Sequence, residues 1–427
     1  MRLRVSSLAL LVALWLAMPG LAQVSGIPEL AVIVSYPVGE LGLQIDYGGI
    51  VIDKGWNVWF AARFLPDTVA SRPALCCLDL WKGRVATYRL PTNIEEVGAL
   101  AYDAPRNIIW FADSYGHRLC KFTIPKRILT VYDLPIQNGD LADIQSIDVD
   151  GYGNVFMALW ESQAVGVFDP KSPTKLTVWS SDSPVVAPYS IDVEEDGGIA
   201  WFTAGEGDWT FGNLDLYPPL PDTSPDMNTW SSTTSDLETM CLRWDPAAGA
   251  AGKLFISADD IDTLAGQVGK FDPTDPLVLR HYGVCADEAG LYGIVVEPGR
   301  ERAWVTEWVK PGALAEVDAG GDGIDPPVDL TQTTIEDVDR DVVNVPRPWV
   351  YQLNPKWCPI RENEYLVEDR CEGPDHHSEE FPISPFAQPG AIAMMGFDAA
   401  DDWFFGIQWV ADTFGDTIVA VLEIPGF

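Results

Sequence analysis

Short runs in which apolar and polar residues alternate recur along this chain at a nearly constant interval, the pattern of half-buried β-strands. The clearest marker is an apolar run that carries a Trp or Phe. It stands at Val58-Trp59-Phe60, Ile109-Trp110-Phe111, Val155-Phe156-Met157, Ala200-Trp201-Phe202, Leu254-Phe255-Ile256, Ala303-Trp304-Val305 and Trp403-Phe404-Phe405. Measured from residues 59, 110, 156, 201, 255 and 304, the steps are 51, 46, 45, 54 and 49 residues, and the last, to 404, is 100. Upstream of each marker lies an alternating strand that ends in an acid, as in Ile50-Val51-Ile52-Asp53 or Ile294-Val295-Val296-Glu297; the seventh, Ile392-Ala393-Met394-Met395, lacks the acid. Downstream come a third strand such as Val165-Gly166-Val167-Phe168-Asp169 and a fourth such as Val131-Tyr132-Asp133-Leu134-Pro135. Four strands per unit, seven times over, predict an all-β fold, a seven-bladed β-propeller. A lone four-stranded sheet cannot cover both its faces, so the Trp and Phe markers are expected in the packing between blades.

The expected blades span about residues 41–91, 92–135, 136–182, 183–232, 233–283, 284–354 and 388–424 within a single domain, 23–427. The last unit has three strands, and Ala31–Pro37 reads as a fourth, so the N-terminal strand is expected to complete blade seven and close the ring. The double-length step holds no second marker. It reads as two insertions, 318–347 and 354–389, placed on either side of a fourth strand of blade six at Val350–Leu353.

Composition narrows the class. Of 427 residues, 47% are hydrophobic and 21% charged, enough to bury a large core. The net charge of −36 argues against nucleic acid as a partner, since phosphate binding needs clustered Lys and Arg. Arg2 and Arg4, the apolar run Leu8–Met18 and the small residues Gly20-Leu21-Ala22 predict a signal peptide over residues 1–22, hence a secreted, extracellular or periplasmic protein with no stable transmembrane segment after cleavage. Seven Cys in an exported chain permit disulfides and leave one over; Cys358 and Cys371 are the expected pair.

The repeat resembles that of the virginiamycin B lyase, or streptogramin lyase, family. The residues that carry the resemblance are Ile109-Trp110-Phe111-Ala112-Asp113, Gly116-His117-Arg118-Leu119-Cys120-Lys121-Phe122, Tyr132-Asp133-Leu134-Pro135 and Trp304-Val305-Thr306-Glu307. The resemblance implies the propeller fold and a carbon–oxygen lyase that opens an ester-linked cyclic peptide by elimination, with Mg²⁺ and a His base. That His lies in a turn just before the first strand of a blade. The matching turns here read Glu96-Val97-Gly98-Ala99, Ile144-Gln145-Ser146-Ile147, Pro188-Tyr189-Ser190-Ile191, Thr239-Met240-Cys241-Leu242, Leu291-Tyr292-Gly293-Ile294 and Pro389-Gly390-Ala391-Ile392, and none holds a His.

In a propeller the turn before strand one and the loop after strand two open on one face around the axis. Asp113, Gln145, Trp160, Glu161, Tyr189, Trp209, Asp259, Tyr292 and Trp308 are therefore expected to line a ligand-binding funnel, its aromatic walls and carboxylates suited to a sugar, a peptide or a cationic group. His376 and His377, in the second insertion, are expected to fold over the funnel as a lid and to supply, with Glu307, any catalytic group. Asp318, Asp322 and Asp325 resemble an oxygen-rich Ca²⁺ loop. Two readings follow: an extracellular binding or scaffolding module for a protein, peptide or glycan, or a divergent lyase-like enzyme with a divalent cation, Mg²⁺ or Ca²⁺, in the axial funnel.

Overall fold

The computed structural model describes residues 30–424 apart from 66–71, 135–143, 181–186, 205–208, 217–224, 233–236, 250, 261–265, 285–289, 308–311, 325, 336–337, 369–377, 384–388, 400–402 and 413–415. It is a seven-bladed β-propeller, seven antiparallel sheets with no α-helix among the described residues. Blade one is built from Leu43–Ile52, Val58–Phe64, Arg72–Asp79 and Arg84–Arg89. Blade two comprises Leu100–Asp103, Ile108–Asp113, Arg118–Thr123 and Ile128–Asp133, and blade three Ile144–Val149, Val155–Leu159, Ala164–Phe168 and Lys175–Ser180. Blade four holds Pro188–Val193, Ile199–Ala204, Phe211–Asp215 and Asp226–Ser231; blade five holds Leu237–Asp245, Lys253–Asp260, Gly266–Phe271 and Val278–Gly283. No helix of the described residues is long and apolar enough to cross a membrane.

The Trp markers are core. Trp59, Trp110, Trp201 and Trp304 are at most 2% exposed and sit in the apolar clusters between neighbouring blades. The acid that ends each first strand has a structural job there. The indole Nε1–H of Trp59 donates to Asp53 at 2.8 Å, that of Trp304 to Glu297 at 3.1 Å and that of Trp201 to Glu194 at 3.4 Å. A buried indole N–H left without an acceptor costs free energy, so in these three blades the acid and the Trp belong together, whereas in blade two Asp103 accepts from Arg106 instead. Where the marker is Phe156 or Phe255, the acid turns instead to the local turn: Asp150 accepts from Asn154 and Asp245 from the Ala247 N–H.

Blade seven consists of Pro389–Ala399, Trp403–Asp412 and Thr417–Ile424, and the chain's first described strand, Leu30–Pro37, completes it. The two run antiparallel from Leu30 opposite Ile424 to Pro37 opposite Thr417. The closure expected from the repeat is the closure observed.

Blade six differs from expectation. After Leu291–Glu297, Arg302–Glu307 and Ala313–Asp318, its outer strand is Ser378–Pro382, with Val317 opposite Ser378 and Ala313 opposite Pro382. Val350–Leu353 does not fill that place. The intervening chain runs around the outside of the ring as a belt. Val328–Asp329 pairs with the outer strand of blade five, Thr331–Ile335 with that of blade four, Asp339–Asn344 with blade three, Trp349–Gln352 with blade two and Lys356–Pro359 with blade one. Asn363–Glu368 then pairs with the closing strand Leu30–Pro37. Six blades thus gain a fifth strand, and the two expected insertions are one continuous girdle.

The belt is pinned by a repeat of its own. Leu330, Val338, Val345 and Leu353 are all under 8% exposed, Ile360 is half-buried, and each enters a different inter-blade cluster. They lie eight, seven, eight and seven residues apart. At four of them the backbone N–H donates to a carbonyl in the turn before the outer strand: Leu330 to Leu277, Val345 to Thr174, Leu353 to Arg127 and Ile360 to Gly83. Side chains add to the attachment. The Trp349 Nε1–H donates to Asp133 at 3.1 Å, and the Arg84 guanidinium lies 3.8 Å above the Trp357 ring.

Candidate functional site

The first strands of the blades surround the axis, and six of the seven carry an irregularity at the same level. The register shifts between Ile45 and Ile50, Ile144 and Ser146, Pro188 and Ile191, Thr239 and Leu242, Leu291 and Ile294, and Pro389 and Ile392. Such shifts bend a strand and free side chains and backbone from the ladder. Here they surround a cavity of about 130 Å³ on the axis.

Gln145, Tyr189 and Tyr292 line this cavity, so three of the residues expected at the funnel stand together. Trp160 meets Tyr189 edge-on, with ring centroids 5.7 Å apart. The remaining expected residues are elsewhere or otherwise engaged. Trp209 is fully buried and packs between blades four and five, where a Cβ on Gly269 would come within 2.5 Å of its ring. It is a core residue, and its own backbone takes a positive φ of 44°. Glu161 is exposed beside Trp160. The carboxylates at the ends of the second strands fasten loops. Asp113 accepts from the Glu95, Glu96 and Gly116 N–H groups at 3.1–3.2 Å and from Arg118 at 3.0 Å. Burial still pushes its carboxyl up against those bonds. Asp259 accepts from the Leu291 N–H of the next blade, and Glu307 is 2% exposed, opposite Leu291 and Ala313 in the sheet.

Trp308, His376, His377, Asp325 and Cys371 lie outside the described residues. Ser378, which follows the His pair, starts a strand opposite Val317, at the far end of the third strand from Ala313. Cys358 is a free thiol on the belt. Of the expected Ca²⁺ loop, Asp318 Oδ1 accepts from the Gly320 N–H at 2.9 Å and Asp322 Oδ1 pairs with Arg280 at 3.0 Å; both serve the start of the belt. His281 also belongs there, with Nδ1 2.6 Å from Gln267 Oε1 and Nε2 3.2 Å from the Pro326 carbonyl. His117 occupies a turn at φ 52°.

The residues that sequence reading missed are charged. Asp148, Asp192 and Arg243 hold the same position on the first strands of blades three, four and five, where the other blades carry Val51, Ala101, Val295 and Ala393. Asp148 Oδ2 accepts from the Val193 N–H at 2.8 Å and Asp192 Oδ2 from the Trp244 N–H at 2.6 Å, so each carboxylate ties its blade to the next. Arg243 lines the cavity, 3.6 Å from Asp192. Its side chain keeps 41% of its surface accessible although protein surrounds it, the mark of an internal, open cavity rather than an outer face. A signal for the trio existed: three consecutive blades carry a charge at a position that is apolar in the rest.

Burial, and after it the charge of Asp192, raises the Asp148 carboxyl well above the usual carboxylate range, while Arg243 and two backbone N–H groups pull it down. Burial raises Asp192 too, against the pull of Arg243. A raised acid keeps in the folded state a proton that the unfolded chain releases near pH 4, so its stabilising effect is complete at low pH and fades as pH rises through the native value. The melting temperature is expected to fall between about pH 4 and pH 8, and Asp148→Asn, which keeps an acceptor for Val193, to flatten that fall. Equal slopes for the two proteins in scanning calorimetry would contradict the assignment.

No protein-family profile and no curated protein matches the sequence. Solved structures do. Virginiamycin B lyase from Staphylococcus aureus aligns at a TM-score of 0.58 and 14% identity, covering 93% of this chain and 100% of that one. The chain has the virginiamycin B lyase fold. A catalytically inactive variant of that enzyme with quinupristin gives a TM-score of 0.59 at 14% identity over 92% of this chain, and a streptogramin B lyase 0.54 at 15% over 90%. Within this fold Gln145, Tyr189 and Tyr292 stand at the turn position where the sequence resemblance places a His. A divalent cation does not fit the described cavity. Its described wall carries no carboxylate, the nearby Asp148 and Asp192 each spend an oxygen on a neighbouring blade, a guanidinium stands on the wall, and no three His, Cys, Asp or Glu converge among the described residues. Burial holds the Cys241 thiol on the wall up at about 11, which keeps it protonated and unreactive at neutral pH.

Proposed function

We propose that the protein is an exported binding propeller that takes a small polar ligand into its axial cavity. One observation carries this reading: the cavity wall, at the position of the lyase turn, holds Gln145, Tyr189 and Tyr292, side chains that bind and orient but do not abstract a proton at neutral pH. The described histidines, His117 and His281, serve a turn and the belt. The basic and apolar segments of residues 1–22 support export, and the acidic coat of net charge −36 supports a role that avoids anionic polymers.

The test is a ligand screen on the mature chain by thermal shift. Tyr292→Ala is expected to weaken any axial ligand about tenfold while leaving the fold in place, the loss of one polar and aromatic contact. A ligand whose shift is untouched by Tyr292→Ala binds elsewhere and removes the axial reading. Release of a linearised product from an ester-linked cyclic peptide would replace it with catalysis.

A further inference from the structure

We infer that the axial cavity is a carboxylate site centred on the Arg243 guanidinium, and that its ligand is a small aliphatic monocarboxylate. The inference rests on the axial-binding reading above and names the ligand class for it.

Arginine offers five N–H donors in a planar fork, and folded proteins rarely leave them idle. Arg63 and Arg118 obey that rule. Arg63 spends Nε and Nη2 on both oxygens of Asp46 at 2.7–3.0 Å, and Arg118 spends Nε on Asp133 and Nη1 on Asp113 and the Asn93 carbonyl. Arg243 makes a single long contact, Nη1 to the carbonyl of its own neighbour Leu242 at 3.5 Å, and stands 3.6 Å from Asp192. Among the described residues nothing else takes its donors, yet its side chain faces a cavity that has room for several water-sized groups. A carboxylate matches that fork with two parallel hydrogen bonds.

Charge in the cavity is nearly balanced. Just behind the wall, Asp148 and Asp192 are close enough for the Asp192 charge to disfavour ionisation of Asp148, so the pair favours holding one proton, and Asp192 stands 3.6 Å from Arg243. Besides Arg243, the titratable groups on the wall itself are Cys241, Tyr189 and Tyr292, which carry no charge in their ordinary neutral forms; the wall from blades one, two and seven carries no titratable group. An anion therefore meets a neutral site while Asp148 is protonated and a negative one after it ionises. Affinity for a carboxylate is expected to fall as pH rises, and to fall less in Asp148→Asn. The cavity volume of about 130 Å³ limits the ligand to a few carbons.

Calorimetric titration of the full mature chain with acetate, propionate and lactate, at constant ionic strength, tests this directly. Acetamide and propionamide serve as neutral isosteres, and inorganic phosphate as a second anion. Saturable binding of a carboxylate, at least about tenfold stronger than its amide and lost in Arg243→Met, is the expected result. Wild-type protein alone gives a second reading should that variant fail to fold: binding that weakens from neutral to alkaline pH, with the loss reduced in Asp148→Asn. Amides or phosphate binding as well as carboxylates would overturn the inference, as would carboxylate binding that survives Arg243→Met. A neutral ligand that depends on Tyr292 but not on Arg243 would overturn it while leaving the axial-binding reading intact.

Discussion

Ile33→Asp is expected to abolish cooperative folding. Ile33 and Val34 are adjacent, both 0% exposed, and point to opposite faces of the closing strand. Ile33 enters the cluster between blades six and seven with Trp304, Leu314 and Phe381. Val34 enters the cluster between blades seven and one with Leu43, Phe60 and Trp409. This one strand therefore stitches two inter-blade cores and lies hydrogen-bonded between Thr417–Ile424 on one side and Asn363–Glu368 on the other. An ionised carboxylate there has no partner, and burying an unpaired charge costs several kcal/mol, against a typical domain stability of about 5–15 kcal/mol. The loss is not local, since a propeller with an open seam exposes the edges of both flanking sheets. A graded series separates charge from packing: Ile33→Val at about 0.5–1.5 kcal/mol and Ile33→Ala at about 2–5 kcal/mol. Urea unfolding followed by Trp fluorescence reads all three. A cooperative transition with an unshifted midpoint in Ile33→Asp would mean that the ring does not depend on its N-terminal strand.

That strand was legible in the sequence because the repeat counts to four and blade seven stops at three. The Trp markers were legible for a related reason: a large apolar side chain at a fixed interval has one place to go in a stack of sheets. The acid after each first strand was visible as a pattern, but its cause was not. In three blades it is the acceptor for the marker's indole N–H, as Asp53 is for Trp59 and Glu297 for Trp304. Trp209 was misplaced because a loop gives no periodicity to say which way a side chain turns. Arg243 escaped notice because alternation puts it on the same blade face as Phe255, and nothing in the strand pattern shows that near the axis this face opens on a cavity. The His pair in the insertion drew attention as the chain's only adjacent histidines, although the insertion's larger signal was the Leu330-to-Ile360 spacing. Crossings of two to six residues, each with one inward anchor, are too short to show strand alternation.

Replacing residues 319–377 with a two-residue turn is expected to leave the propeller folded but prone to aggregate. The replacement is geometrically direct, because Val317 already stands opposite Ser378 and the two strands would become an ordinary hairpin. Equilibrium stability should change modestly. The belt buries about one apolar side chain per blade and pairs its backbone with the blades, and the conformational entropy lost in ordering its residues offsets that gain. What the belt changes is the edge. Without it the outer strands of blades one to five present unpaired N–H and C=O groups around the ring, each a template for another chain. With it the outermost strands of blades three and four are largely polar ones, Asp339–Asn344 and Thr331–Ile335, and Pro346, Pro348, Pro355 and Pro359 interrupt the donor row beyond them. Light scattering during concentration, beside a thermal melt, separates the two effects. The expected outcome is a melting temperature within several degrees of the parent and scattering that rises at far lower protein concentration. If the shortened protein stays as dispersed as the parent, the belt does not guard the blade edges. If it fails to melt cooperatively, the belt's anchors contribute to the core far more than their number suggests. Leu353→Asp, which unseats one crossing at the cluster between blades one and two, should reproduce the scattering on a smaller scale and place it at that edge.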